Sequence, residues 1–347
     1  MKIITMRNAL VVLTILFFSS CTTLSYTSLD ILRPAKVSFD PKANNILIVN
    51  NAVVQPIDYG HKTELFNEGT KNLKIETDSL PMFCLGALTE DVAEKEFFNN
   101  VDLHVNTVNE GSDFFTIKPL PLDSVNAMCS RYNANVLLSL DRFKVNDKIT
   151  ELYYNDTYTY YDALVARYES QWSIHYPGKE KFETITFRDT IYWDSESAQR
   201  RKAIAGLPKR NDALVDGALY VGRNSIKRFI PYWDKADRYF FNSGNKLLKE
   251  GMDSVLVKNW TAAISIWKKG LSKNSLNLKA KLANNIAVAY EISGDVDNAI
   301  AYARKSNDYF QRDLFVNYEH MSYVINYTQQ LNQRKKEIEL LDKQLGN

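Results

Sequence analysis

The chain has 347 residues, of which 45% are hydrophobic, and it carries 43 basic residues against 41 acidic ones. This length and apolar content predict two folded domains rather than one. Because Lys and Arg form no basic stripe, nucleic acid is not expected as a partner, and after residue 20 no apolar run approaches the length of a membrane-spanning helix.

The N-terminus has the layout of a secretory signal. The basic residues Lys2 and Arg7 precede the apolar run Ala9–Phe18, and Ser20 stands directly before Cys21. Ten residues form a helix only about 15 Å long, which is half the thickness of a bilayer core. A small residue before such a cysteine resembles the lipobox of bacterial lipoprotein precursors, in which the cysteine is acylated and the signal removed. We expect lipid on Cys21 to anchor the chain. The alternatives are an ordinary secretory signal with an incidental cysteine and an N-terminal core helix.

The rest of the chain divides into predicted segments with different periodicity. These are a signal peptide at 1–20, a lipidated tether at 21–42, an α/β domain at 43–232 and an all-α domain at 233–347. In the α/β domain, strands are predicted at 45–54, 101–107 and 135–145, and helices at 79–98, 121–132, 196–205 and 212–230. The alternation of strands and helices predicts an α+β protein whose first domain is a layered α/β structure with partly parallel strands.

An aromatic-rich antiparallel hairpin is predicted inside that domain. Residues 164–176 and 181–193 alternate between apolar and polar positions on either side of a turn at 177–180. Its aromatic residues are Tyr153, Tyr154, Tyr158, Tyr160, Tyr161, Tyr168, Trp172, Tyr176, Tyr192 and Trp193. Exposed tyrosine and tryptophan rings stack on sugars, so a glycan-binding platform is the alternative functional hypothesis. The simpler interpretation is that these rings form the core of the sheet.

The all-α domain contains a helical repeat. The diagnostic positions are Ala287, Tyr290, Gly294, Asp295 and Ala299 in one copy and, 36 residues earlier, Gly251, Ala263 and Trp267. This pattern resembles the tetratricopeptide (TPR) consensus, in which small residues let two helices approach closely. Residues 317–345 fit poorly and are predicted to be a capping helix or a degenerate pair. A generic helical bundle is the alternative.

TPR stacks bind peptides along the concave face of their first helices, which predicts a partner-binding surface here. The candidate partner-binding residues are Lys281, Asn284, Val288 and Glu291 in the second copy, with Asn245, Leu248, Met252 and Val255 in the first. Asn side chains pair with a peptide backbone, and lysine pairs with a carboxylate. The alternative is that the repeats serve only as structural support.

No catalytic motif is present in the sequence. No nucleophile elbow, phosphate loop or zinc motif occurs, and His61, His104, His175 and His320 lie far apart. We therefore expect no enzymatic activity, cofactor or metal. Two cysteines remain after Cys21, namely Cys84 and Cys129. They form either a disulfide or two buried free thiols, and their spacing in the sequence does not decide between these alternatives.

The lipobox, the strands NILIVNN and NVLLSLDRF, and the segments RYFFNSGNKLLKEG and WTAAISIWKKGL occur in one order. Together they resemble an uncharacterised family of Bacteroides-type envelope lipoproteins. The resemblance implies an α/β domain joined to TPR repeats and no known activity. Since no acidic tract follows Cys21, we expect the periplasmic side of the outer membrane. The leading hypothesis is a non-enzymatic scaffold that binds an envelope protein.

Overall fold

The structure is a computed structural model that describes residues 24–109 and 113–346, so the signal and Cys21 lie outside the described residues. The chain forms two compact units. Residues 24–34 and 232–343 make the helical unit, and residues 35–231 with 344–346 make the sheet unit. The predicted α+β class, with a sheet-rich N-terminal region and a helical C-terminal region, is confirmed. Within the described ranges, no helix is long and apolar enough to cross a membrane.

The described residues of the sheet unit are built on a seven-stranded mixed sheet. Its strands are β2 (Asn45–Asn50), β3 (His61–Leu65), β4 (Gly69–Asn72), β5 (Asn100–His104), β6 (Val136–Tyr154), β7 (Thr159–His175) and β8 (Glu183–Ser197). Its helices are α1 (Leu80–Glu94), α2 (Leu122–Tyr132), α3 (Arg200–Gly206) and α4 (Arg210–Phe229). The long strand β6 pairs in parallel with β2 along its first half and with β3 along its second half. Its other edge pairs with β7, which in turn pairs with β8.

Helices cover the sheet on both faces near β2. Ile46 and Ile48 face the core formed with α1 and α4, whereas Leu47 and Val49 face α2. A strand buried on both faces reads as a continuous β-branched or aliphatic run, which is why the sequence predicted it correctly. The face that carries α1 and α4 is called the inner face below, and the opposite one the outer face.

Two cysteines lie on opposite faces of the sheet. Cys84 and Cys129 are both buried free thiols, so the disulfide alternative is not realised. Burial raises the pKa of Cys129 to about 11 and raises that of Cys84 still further. Both thiols are therefore protonated and unreactive at neutral pH.

The helical unit contains a two-stranded ribbon and five helices among its described residues. The ribbon pairs β1 (Leu24–Arg33) with β9 (Tyr232–Phe241) in antiparallel register over ten residues. The helices are α5 (Lys246–Leu256), α6 (Trp260–Gly270), α7 (Leu276–Ile292), α8 (Val296–Gln311) and α9 (Tyr318–Leu345). The chain from 317 to 345 thus forms one long helix.

Small residues let the helices of this unit pack closely. Gly251 of α5 faces the indole of Trp267 on α6, and a Cβ at Gly251 would stand 1.9 Å from Trp267 Nε1. Trp267 is fully buried, as are Ala287 of α7 and Ala299 of α8. Glycine and alanine therefore occupy the positions where the sequence pattern required small side chains.

Four strands differ from the sequence predictions. The predicted tether at 21–42 contains β1, and the predicted all-α domain begins with β9, because these two segments pair across about 200 residues of chain. The hairpin β3–β4 lies where a polar loop was expected. Its strands, HKTEL and GTKN, carry almost no apolar residues, so hydrophobic alternation gave no signal for them.

Candidate functional site

The predicted partner-binding face of α7 is buried by β9. Asn284 has no exposed surface, and its amide donates to the carbonyl of Tyr239 at 3.2 Å. The neighbouring Asn285 holds the backbone of Phe241 at two points, accepting from its N–H at 2.8 Å and donating to its carbonyl at 2.7 Å. These amides do pair with an extended backbone, but that backbone belongs to the same chain.

The other candidate residues also have internal partners. Glu291 is buried and binds the guanidinium of Arg238 through two contacts of 2.7 Å. Val288 is buried, and Lys281 is half-buried with its ammonium 5.6 Å from the centre of the Phe241 ring. Burial lowers the pKa of Lys281. The predicted partner surface is therefore corrected: these residues hold β9 in the helical unit.

The first-copy residues are structural as well. Leu248 is buried, while Met252 and Val255 pack against the same core. The side chain of Asn245 caps α5 by accepting from the N–H of Leu247 at 2.9 Å. The sequence did not predict this arrangement, because the repeat pattern carries no signal that β9 covers the predicted partner-binding face of α7.

An open cavity of about 870 Å³ lies on the outer face of the sheet unit, where the β3–β4 hairpin meets β6. Loop 58–60 forms one wall and places the acidic residue Asp58 in the lining. Seven polar side chains from four strands line the cavity: Lys62, Thr70, Asn72, Asn146, Lys148, Thr150 and Arg167. None of these residues stood out in the sequence, and only the strand register brings them together.

The register explains how the cationic residues converge. Lys62 on β3 stands directly opposite Lys148 on β6, and Arg167 on β7 stands opposite Asn146. Directly opposite residues of paired strands project from the same face of a sheet. The row from Lys148 continues across β7 to Tyr192 on β8, which is 67% exposed. Positive charge and an exposed aromatic ring thus lie side by side on the outer face.

Only one of these three cations has a carboxylate partner among the described residues. Lys148 forms an ion pair with Glu64. In the described ranges, no carboxylate lies within ion-pair distance of Lys62 or Arg167. Like charges directly opposite in a sheet are destabilising, so the Lys62–Lys148 pair is kept at a cost to stability.

Gly60 brings the loop wall against β6. Its φ is +91°, and a Cβ there would stand 2.2 Å from Oδ1 of Asn146. Its carbonyl accepts from the N–H of Asp147 at 3.0 Å. Because only glycine combines this backbone conformation with such a close approach, Gly60 fixes the shape of the cavity wall.

The inner face beneath the cavity holds a buried charge cluster. Asp147 accepts from Nδ1 of His61 and lies 2.7 Å from Nη1 of Arg210. The Gln55 amide bridges the backbone of Val145, donating to its carbonyl and accepting from its N–H, each at 2.8 Å. Burial lowers the pKa of Arg210, and the negative charge of Asp147 opposes that change. This cluster locks β3 and α4 onto β6.

A second carboxylate on the inner face lacks a partner. Asp162 has no exposed surface, and neither of its oxygens has a hydrogen-bond partner among the described residues. Desolvation, reinforced by the charge of Glu151, raises the pKa of Asp162 to about 6. Glu151 itself is held by Arg200 at 2.7 Å.

Replacing Asp162 with asparagine is expected to stabilise the protein at pH 7. The folded state raises the pKa of Asp162 from 3.8, so its contribution is most favourable below about pH 4 and is lost as the pH rises to about 6. The variant should gain about 1–2 kcal/mol at pH 7 and almost nothing at pH 4. Thermal melts between pH 4 and 8 test this, with the exposed Asp156→Asn as control. An equal gain at both pH values would contradict it.

The aromatic residues of the hairpin divide between core and surface. Tyr168 and Trp172 are buried beneath α4. Tyr154, Tyr158 and Tyr192 are exposed on or near the outer part of the hairpin. The core interpretation therefore applies to the first group, and the exposed rings are the part of the cluster that a ligand can reach.

A separate polar cluster at the ends of β2 and β6 is internal. Asp141 accepts from Asn51 and Ser139, each at 2.8 Å, and also from Ser173. Burial lowers the pKa of the adjacent His175 despite the charge of Asp141. All five side chains are buried, so the cluster joins strand ends rather than facing a substrate. Among the described residues, no group of three or more His, Cys, Asp or Glu side chains could hold a metal ion.

Comparisons with known proteins place these features in a family. A model of a domain of unknown function, DUF8603, matches residues 43–241, and another, DUF6340, matches residues 249–333. Since the first match covers more than half of the sequence, the chain belongs to the DUF8603 family. No curated protein sequence matches the chain.

Two solved structures are similar to the chain at 11% sequence identity. One is an uncharacterized protein, with 53% of this chain and 92% of that chain covered and a TM-score of 0.23. The other, from Helicobacter pylori, is described as a neuraminyllactose-binding hemagglutinin homolog, with coverages of 56% and 90% and a TM-score of 0.26. At these TM-scores, neither likeness carries a conclusion about this chain.

Proposed function

We propose that the chain is a non-enzymatic, lipid-anchored binding protein of the bacterial envelope, held on the periplasmic side of the outer membrane. The lipobox-like segment ending at Cys21 supports the anchor, and the lack of catalytic motifs supports the non-enzymatic role. Replacing Cys21 with serine should release the protein from the membrane fraction of its host. Retention of the serine variant in that fraction would contradict the anchor.

The proposed ligand is a glycan bound on the outer face of the sheet unit. The observation that carries this proposal is the exposed ring of Tyr192 beside a polar cavity. Aromatic rings stack on the apolar faces of sugars, and amide and hydroxyl side chains such as Asn72 and Thr150 donate to and accept from sugar hydroxyls. Concave sites with a few convergent polar groups are typical of ligand binding.

Glycan binding is tested by replacing Tyr192 with serine. Loss of one stacking ring is worth about 1 kcal/mol, so affinity for a retained oligosaccharide should fall roughly fivefold or more. Screening the chain from residue 22 on an oligosaccharide array, followed by calorimetry, provides the measurement. Tyr158→Ser, in the exposed β6–β7 turn, is the matched control and should bind normally. Equal affinities of both variants and the unmodified protein would contradict the proposal.

A protein scaffold is the second candidate function. We propose that the hairpins α5–α6 and α7–α8 are TPR-type repeats, which the close packing of Gly251 on Trp267 supports. Since β9 covers α7, a partner would need another surface. The observation that favours one is the turn between α8 and α9, where Leu314 and Phe315 are 93% and 90% exposed. Exposed apolar pairs of this kind mark interaction sites.

The scaffold proposal is tested by affinity purification from the native host. The protein with its anchor intact should retain one dominant envelope protein, and Leu314→Ser/Phe315→Ser should lose it without unfolding. Leu256→Ser/Val257→Ser, an apolar pair at the α5–α6 turn that is 80% and 74% exposed, is the control. If the unmodified protein and both double variants retained the same envelope protein in equal amounts, the partner would not bind at this turn.

A further inference from the structure

We propose that the cavity beside Tyr192 binds an acidic group of the ligand, an oxyanion such as a carboxylate or a sulfate ester carried on a sugar. The saccharide part of this inference rests on the proposed function. The inference of an acidic group rests on the cavity alone. Three properties of the cavity carry it: its cations, the repulsion between those cations that lowers folding stability, and its position next to Tyr192.

Two cations of the cavity lack an ion-pair partner among the described residues. The lining contains the cations Lys62, Lys148 and Arg167 together with the acidic residues Asp58 and Asp147, and Asp147 is paired with His61 and Arg210 on the inner face. Glu64 pairs with Lys148 alone among the described residues. The guanidinium of Arg167 presents a planar fork that matches a carboxylate or sulfate, and the ammonium of Lys62 adds a point charge.

The arrangement opposes folding stability, and an anion would relieve it. Lys62 and Lys148 are opposite one another in the parallel register, and their mutual repulsion destabilises the empty protein. Elsewhere on the same face, Arg142 and Arg188 each contact a carboxylate, that of Glu169, at 2.7 and 2.8 Å. Lys62 and Arg167 differ from them, because no carboxylate of the described residues lies within ion-pair distance of either.

The position joins the anion site to the proposed sugar surface. Val165 lines the cavity and stands between Lys148 and Tyr192 in one cross-strand row. Neighbouring strands are about 4.8 Å apart, so the row spans about 10 Å, which is the scale of a few linked sugar rings. A sugar on Tyr192 would place an acidic substituent of the same or the next ring near Lys148.

The test compares two ligands that differ in their acidic group. Trigalacturonic acid and galactotriose share the galactose ring, and only the former carries carboxylates. We expect trigalacturonic acid to bind at least about tenfold more tightly in low-salt calorimetry. Lys62→Gln/Arg167→Gln should abolish that preference, and raising the salt concentration from about 0.05 to 0.5 M should shrink it.

Two controls separate this effect from a general loss of charge or fold. Lys95→Gln/Arg188→Gln removes the same two charges from exposed positions of the sheet unit outside the cavity and should keep the preference. The cavity variant should melt no lower than the unmodified protein, because it removes the Lys62–Lys148 repulsion. Galactose 6-sulfate and inorganic sulfate test whether a sulfate replaces the carboxylate.

The outcomes distinguish the two proposals. Equal binding of both trisaccharides, lost in Tyr192→Ser, would overturn the acidic site and leave glycan binding intact. Binding of inorganic sulfate that depends on Lys62 and Arg167, with no binding of any sugar, would support the acidic site and overturn the glycan function. No binding of any of these anions would overturn the acidic site.

Discussion

Replacing Glu291 with alanine is expected to lower the free energy of unfolding of the helical unit by about 3–5 kcal/mol. Arg238 would then be left buried with its charge unpaired, since Glu291 supplies both carboxylate contacts at 2.7 Å. The hydroxyl of Tyr327 would also lose the Glu291 oxygen to which it donates at 2.8 Å. Urea denaturation followed by circular dichroism at 222 nm measures the change, because this unit contains most of the helix.

The control for this experiment is Glu319→Ala. Glu319 is exposed and its carboxylate accepts from the hydroxyl of the neighbouring Tyr323, so replacing this side chain should change stability by less than about 0.5 kcal/mol. A double variant, Arg238→Met/Glu291→Leu, should recover much of the stability, because apolar replacement of both partners leaves no unpaired charge. If Glu291→Ala were as stable as the unmodified protein, the burial of this face under β9 would be wrong.

Replacing Asp147 with alanine is expected to have a comparable effect on the sheet unit. The carboxylate binds His61 and Arg210 together; the side chains of Asp147 and His61 have no exposed surface, and that of Arg210 is 10% exposed. Loss of the carboxylate leaves the Arg210 guanidinium without a counter-charge and removes the side-chain contact between His61 on β3 and β6. The free energy of unfolding should fall by about 3–5 kcal/mol. The melting temperature and the urea midpoint should both fall.

Asp156→Ala in the exposed β6–β7 turn is the matched control and should melt with the unmodified protein. Asp147→Asn is a more conservative change: it keeps the shape and loses the charge, so we expect it to be intermediate. The affinity of Asp147→Asn for the proposed oligosaccharide, measured at 10 °C to keep the variant folded, tests whether the cluster also shapes the cavity wall at Gly60. A melting temperature of Asp147→Ala equal to that of the control would contradict the assigned role of the cluster.

Local periodicity was sufficient for much of the fold. Strand β2 is a continuous apolar run, the β7–β8 hairpin alternates between apolar and polar positions, and helix α2 begins and ends close to its predicted bounds. The positions of Gly251 and Trp267 likewise predicted a tight helical hairpin. In each case, the information lies within about twenty neighbouring residues, which is the range over which hydrophobic patterns are readable.

The missed features all depend on contacts between distant segments. The pairing of β1 with β9 joins residues about 200 apart, and it decides that α7 faces a strand rather than solvent. The cavity has no motif because Lys62 and Arg167 come from strands separated by about 100 residues and meet only through β6. Neither Lys62 nor Arg167 carries a signal in the sequence, and only the strand register brings the two together in the cavity.

The ribbon of β1 and β9 also determines how far an anchored molecule can reach. Two residues, 22 and 23, separate Cys21 from Leu24, which is the first described residue and pairs with Phe241, and three peptide steps span at most about 11 Å. With the proposed lipid on Cys21, Leu24 would stay within about 11 Å of the lipid-bearing residue. The end of the ribbon where Leu24 pairs with Phe241 would therefore be held at the membrane surface.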